Sequence, residues 1–245
     1  MTPEIIAHRG YSAQAPENTL SALEAALRSG ADALEFDVRT AACGTPVLFH
    51  DATLGRTTNG VGPLARRPLA QLKVLDAGSW FSPAFAGERI PTQMEALAFL
   101  KGRVRRVYQD VKGYREMEDL DRIADLTRDA GMADRSVFVS SDWLVLNRLR
   151  RVAPEIRRGY TVETAAALPE AMDRALVDEG SLLSVEMGVA LAEPERIREA
   201  LEGGAEVMAW TVDDPEVARK ALELGISRIF SNEVESLLAW RAGLP

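Results

Sequence analysis

Short apolar segments alternate with longer amphipathic ones along almost all of this 245-residue chain. The two periodicities predict strands at 4–8, 33–38, 104–111, 136–140, 156–160, 182–186, 206–211 and 227–231. Helices are predicted near 18–29, 115–131, 142–151, 168–178, 193–202, 214–223 and 233–242. Eight strands alternating with helices suffice to close a parallel barrel, so the predicted fold class is α/β, a (β/α)8 TIM-type barrel. Helix ends agree. Asn18-Thr19 stands before Leu20, Asp213-Asp214 stands before Pro215, and Gly30, Gly131, Gly203 and Gly225 fall where helices should stop.

One stretch breaks the rhythm. Residues 39–100 far exceed the roughly 2–6 residues that a βα connection needs, so a small inserted subdomain after the second strand is predicted. It holds a short strand at 46–50, a Gly- and Thr-rich turn at 54–62 and two short helices, near 68–73 and 92–100. Composition shifts nowhere else, so the expected organisation is a single domain over 1–245 with its insertion at approximately 39–100.

Charge narrows the partners. Lys and Arg number 29 against 37 Asp and Glu, a net charge of -8, which argues against a chain that coats nucleic acid or an anionic membrane. With Cys43 alone there is neither an intramolecular disulfide nor a multi-cysteine metal site. The first residues lack a basic segment followed by an apolar one, and no apolar run approaches the roughly 18 residues of a membrane span. The expectation is a soluble, cytoplasmic protein without stable membrane association.

Candidate chemistry lies at strand ends, where α/β barrels gather their active sites. In the second strand Glu35 and Asp37 share one side while Leu34, Phe36 and Val38 share the other. Two carboxylates held that close need a cation or a proton, and a hard divalent metal with oxygen ligands meets the need; an exposed edge strand is the alternative. On the third strand Tyr108, Asp110 and Lys112 face one way. Asp110 is either a further metal ligand or the structural partner of Lys112, whose ammonium is otherwise a point charge for a phosphoryl oxygen. The two histidines, His8 and His50, each close a strand and suit general acid/base work, since unperturbed imidazole titrates at about pH 6.5. Arg9 offers a planar fork for phosphate, or else a salt bridge to Glu17 or Asp32. Anionic substrate, metal and two imidazoles together make a toolkit for phosphoester cleavage.

The segments I-A-H-R-G-Y, A-P-E-N-T-L, G-A-D-A-L-E-F-D-V-R-T, V-L-F-H-D-A-T-L-G-R-T-T-N-G-V-G and A-W-T-V together resemble the glycerophosphodiester phosphodiesterase family. The resemblance spans nearly the whole chain, and residues 1–62 carry most of its specificity. It implies a metal-dependent barrel enzyme that cleaves glycerophosphodiesters such as glycerophosphocholine or glycerophosphoethanolamine to sn-glycerol 3-phosphate and an alcohol. Carried over by motif, Glu35 and Asp37 bind one divalent ion, Mg²⁺ or Ca²⁺, with Mn²⁺ a further candidate. His8 acts as general base, His50 as general acid, and Arg9 and Lys112 hold the phosphate. Trp210 ends the seventh strand and is a candidate wall for the glycerol or alcohol moiety. A lysophospholipase D-like enzyme and a non-catalytic phosphodiester-binding barrel are the alternative functions.

Three departures from the family pattern stand out. Asp110-Val111-Lys112 replaces the usual Glu-x-Lys, which puts metal affinity or choice in question. Thr40-Ala41-Ala42-Cys43-Gly44 replaces Thr-x-Asp-Gly, a change read as structural. Ser231-Asn232-Glu233-Val234 replaces Thr-Asp-x-Pro and is expected to alter a loop and a helix cap more than chemistry.

Overall fold

The computed structural model describes residues 2–244. Its strands are β1 (Glu4–Ala7), β2 (Ala33–Thr40), β3 (Pro46–Leu48), β4 (Val107–Gly113), β5 (Ser136–Ser140), β6 (Arg157–Val162), β7 (Leu182–Glu186), β8 (Glu206–Trp210) and β9 (Arg228–Ser231). Its helices are α1 (Leu20–Ser29), α2 (Leu69–Leu72), α3 (Gln93–Leu100), α4 (Met117–Asp129), α5 (Trp143–Val152), α6 (Leu168–Val177), α7 (Met187–Ala192), α8 (Pro194–Glu202), α9 (Pro215–Glu223) and α10 (Val234–Ala242). All the strands except β3 are parallel and close into a barrel, because β1 pairs with both β2 and β9. β3 stands outside the ring, antiparallel to the end of β2, with Val38 opposite Leu48 and Thr40 opposite Pro46. The (β/α)8 expectation is met.

Strand alternation sorts the side chains into two cores. Ile6, Tyr108, Val139, Leu182, Met208 and Phe230 fill the barrel, whereas Leu34, Phe36, Val38, Val107 and Val111 face the surrounding helices. Each such side chain contributes about 1.5–3 kcal/mol when fully buried. Local signals start the helices where the register needs them. Thr19 caps α1 by accepting from the Ala22 amide, and Gly30 ends it in the left-handed region at φ 80°. Thr92 and Glu95 form a reciprocal capping box on α3, and Asp214 caps α9 just before Pro215.

The last stretch of the long 39–100 segment belongs to the helical layer. In α3, Ala96, Leu97 and Leu100 join the main core, and Gln93 donates to the buried Gln109 of β4 at 2.7 Å. The loops before α3 pack on a small core of their own, with Val47, Phe49, Leu54, Leu64, Leu72 and Ile90. Among the named strands and helices, two depart from expectation by more than a residue or two. β4 begins at Val107 rather than at 104, where its ladder with Leu34 begins. α7 was not anticipated, because Pro194 opens α8 and masks the short helix before it. Glu186, at the end of β7, caps α7 by accepting from the Val189 amide.

A buried ion pair braces the outer face of β6. Arg158 donates to both carboxylate oxygens of Asp178, at 2.7 and 2.6 Å, and the Tyr160 hydroxyl donates to the same group at 2.9 Å. Burial pushes the Asp178 carboxyl up, but Arg158 and then Tyr160 outweigh it and hold it below the usual carboxylate range. A depressed folded-state pKa gives stability that is present above the unfolded value of about 4 and lost as pH falls through the folded one. Asp178→Asn strands the buried guanidinium, so urea unfolding at neutral pH should show a loss of roughly 3–5 kcal/mol. The difference between variant and wild type should narrow on acidification below about pH 4, where wild-type Asp178 also takes up a proton.

Candidate active site

The H-R-G turn after β1 begins the site. Arg9 and Gly10 both sit in the left-handed region, at φ 57° and 75°. Glycine is required at position 10, since a Cβ there would fall 2.6 Å from the Ala22 backbone of α1. The strained turn at Arg9 has a use: its amide N–H donates to Glu35 Oε2 at 2.7 Å. Asn18, also left-handed at φ 59°, does the same for the second carboxylate. Its side chain donates to Asp37 Oδ2 at 2.7 Å and accepts from the Asp37 amide at 2.9 Å. The helix cap expected of the Asn18-Thr19 pair falls to Thr19, which frees Asn18 for this task.

Glu35, Asp37 and Asp110 each offer an oxygen lying within 4.8 Å of the other two. Glu35 and Asp37 are 3% and 1% exposed, which disposes of the exposed-edge alternative. Two cations partner the three acids. Lys112 reaches Asp110 at 2.7 Å and Asp37 at 3.8 Å, and Arg9 Nε lies 3.3 Å from Asp37. Burial raises Asp37, but Arg9 and Lys112 outweigh it and hold this carboxyl low. Burial, then Asp37 and Asp110, drive Glu35 well above the usual carboxylate range. Burial also raises Asp110, partly offset by Lys112. Glu35 Oε1 and Asp110 Oδ1 are buried without a hydrogen-bond partner. Orphaned carboxylate oxygens beside an uncompensated negative charge are what a hard divalent cation satisfies, so these residues fit a metal. The Asp110–Lys112 ion pair and the ligand role are therefore compatible.

The imidazoles stand on either side of this cluster. His8 Nε2 lies 4.0 Å from Glu35 Oε2, and its Nδ1 is 2.9 Å from Asn232 Oδ1. Burial, then Arg9, lowers the His8 pKa to about 4, which keeps the ring neutral near neutral pH. His50 follows β3, where the Phe49 amide donates to the Asp37 carbonyl and Arg39 Nε donates to the His50 carbonyl at 2.6 Å. Its Nδ1 lies 2.7 Å from Asp51. Asp51 is held by Arg56, which also grips Glu17, and Glu17 accepts from Arg9 at 2.8 Å. A chain of charges thus ties the insertion to the barrel mouth. Arg9 uses Glu17 and not Asp32, whose partners are Arg241 and the Ile5 amide.

His8, Arg9, Glu35, His50, Asp110 and Lys112 line one cavity, with Thr161, Glu163, Ser184 and Trp210 among the residues facing them. Trp210, half-buried, donates its indole N–H to the Ser184 carbonyl at 3.1 Å. The sequence-predicted residues converge, with Asp37 buried beneath the cavity. Residues given no role from the sequence complete the arrangement: Arg56 and Asp51 behind His50, and Asn232 behind His8. The Asn232 position was expected to affect a loop and a cap more than chemistry; the structure adds a contact with His8.

A profile of the Glycerophosphoryl diester phosphodiesterase family matches residues 8–236. A glycerophosphodiester phosphodiesterase from Caldanaerobacter subterraneus subsp. tengcongensis is 31% identical over 239 residues, covering 96% of each chain. Among solved structures, an Oleispira antarctica phosphodiesterase in complex with the product sn-glycerol-3-phosphate superposes with a TM-score of 0.88. It shares 29% identity and covers 99% of this chain and 98% of its own. A glycerophosphodiester phosphodiesterase from Agrobacterium tumefaciens gives 0.83 at 32% identity, over 98% of this chain and 100% of its own. The profile match over most of the chain and the near-complete coverage of these relatives show that the chain belongs to the glycerophosphoryl diester phosphodiesterase family.

Proposed function

We propose that the protein hydrolyses glycerophosphodiesters to sn-glycerol 3-phosphate and an alcohol, with His8 as general base and His50 as general acid. The observation that carries this reading is the meeting of both imidazoles, three carboxylates, Arg9 and Lys112 around one cavity. The product in the Oleispira antarctica structure supports the choice of substrate. Glu35, Asp37 and Asp110 would hold one divalent ion, Mg²⁺, Ca²⁺ or Mn²⁺. When bound, the ion supplies positive charge that neutralises the acids and polarises a phosphoryl oxygen.

The chain's own residues supply the rest. Arg9 and Lys112 present fixed cations to the phosphodiester, which a chain of net charge -8 would otherwise repel. Neutral His8 takes the proton of the attacking oxygen at Nε2, the nitrogen turned toward Glu35; that oxygen is water's, or the glycerol 2-hydroxyl's with water then opening the cyclic phosphate. His50 gives a proton from Nε2 to the departing alcohol oxygen, while Asp51 at its Nδ1 orients the ring. Arg56 keeps Asp51 ionised, holding its carboxyl far below the usual range. The Trp210 face supplies an apolar wall for the organic part of the substrate.

Purified protein should release glycerol 3-phosphate from glycerophosphocholine or glycerophosphoethanolamine and lose that activity with a chelator. His8→Ala and His50→Ala should each reduce kcat by about 10²-fold or more. Absence of metal-dependent release from every glycerophosphodiester tested would refute the reading. Arg56→Ala, which frees Asp51, should lower kcat by roughly tenfold while calorimetric affinity for the divalent ion stays at the wild-type level. Equal losses in ion affinity would instead make Arg56 a general support of the cluster.

A further inference from the structure

We propose that Asn232 and Asp213 form a two-residue clamp that fixes the tautomer of His8, making Asn232 a positioning residue for the reaction. Asn232 Oδ1 faces His8 Nδ1 at 2.9 Å and accepts from the Ser12 hydroxyl at 2.7 Å. On its other side Asn232 Nδ2 donates to Asp213 Oδ2 at 2.9 Å. Asp213 is itself held, since its Oδ1 accepts from the Asn232 amide at 2.7 Å and from the Ser231 hydroxyl at 3.0 Å.

An amide side chain has two ends of similar shape, one accepting and one donating. Rotated by half a turn, Asn232 would set its carbonyl oxygen against the Asp213 carboxylate and its NH₂ against His8 and Ser12. Asp213 forbids that arrangement because a carboxylate only accepts. The accepting end must therefore face His8, so Nδ1 carries the hydrogen and Nε2 carries the lone pair. Nε2 is the nitrogen on the Glu35 side, at the cavity. Asp213 thus decides, through one intervening amide, which nitrogen of His8 is free to accept a proton. Barrel closure makes the contact, since the His8 amide also donates to the Ser231 carbonyl at the end of β9.

The inference rests on His8 acting as the base, yet it has a readout independent of activity. With only two histidines in the chain, ¹⁵N-histidine labelling gives two imidazoles, and His50→Gln leaves the His8 signals alone. Near neutral pH, His8 should show a protonated Nδ1 and a bare Nε2. Asp213→Asn, a nearly isosteric change at an exposed position, should move His8 toward the other tautomer and, with His50 intact, lower kcat by about tenfold or more with little change in KM. The double variant N232D/D213N should restore both, because a carboxylate at 232 accepts whichever way it turns. A wild-type His8 protonated at Nε2 would overturn the proposal, as would D213N lowering kcat with the tautomer unmoved, or leaving both unmoved. Full activity in His8→Ala with the tautomer behaving as described would instead remove His8 from the proposed reaction and leave the clamp standing.

Discussion

Three carboxylates confined to the mouth of a barrel set the terms for the rest of this protein. Glu35, Asp37 and Asp110 are close enough for their oxygens to lie within 4.8 Å, and like charges so placed in a buried setting cannot all ionise without compensation. The neighbouring structure supplies that compensation in part. Arg9 and Lys112 bring charge, Asn18 and the Arg9 amide bring donors, and the left-handed turns at Arg9 and Asn18 exist to aim them. What they leave over is the orphaned oxygens of Glu35 and Asp110 and the elevated Glu35 pKa. The cluster therefore costs stability here, and a divalent cation would relieve that cost.

The same compensation reaches into the insertion. His50 comes from outside the barrel ring, so nothing in the (β/α)8 frame by itself would hold it at the mouth. The antiparallel β3 brings it near, and the chain from Asp51 through Arg56 and Glu17 to Arg9 ties it to the group that neutralises Asp37. Arg9 and the position of His50 are thereby linked through Glu17. On the opposite side His8 depends on β9, the last strand, through Asn232. His8 is held across the seam where the barrel closes, and His50 by the insertion.

Much of this was legible in the residues. Alternation of strands and helices pointed to the barrel, and the period-2 rule put Glu35 with Asp37 and Asp110 with Lys112 on one side of their strands. Local capping signals such as Thr92-x-x-Glu95 and Asp214-Pro215 were also visible. What escaped depended on contacts distant in sequence. Asn232 and His8 are 224 residues apart and meet only because β1 pairs with β9. Arg56 and Glu17 are 39 apart across the insertion, where no periodicity fixes geometry. The short α7 escaped for a different reason, since Pro194 interrupts what would read as one helix. Resemblance to a family supplied roles for the motif residues; the partners that orient them became apparent only in three dimensions.

An acidic cluster destabilised by its own charge should be relieved by a cation. Unfolding free energies of wild type and Glu35→Gln, with and without Mg²⁺, Ca²⁺ or Mn²⁺, test it directly. Without ion, Glu35→Gln should be at least as stable as wild type, since a like charge is removed while an oxygen remains for the Arg9 amide. Wild type should then gain about 2.7 kcal/mol at an ion concentration a hundredfold above Kd, and the variant far less. A wild type indifferent to all three ions, with Glu35→Gln markedly less stable than it in their absence, would contradict the claim and make the cluster a structural ion-pair network.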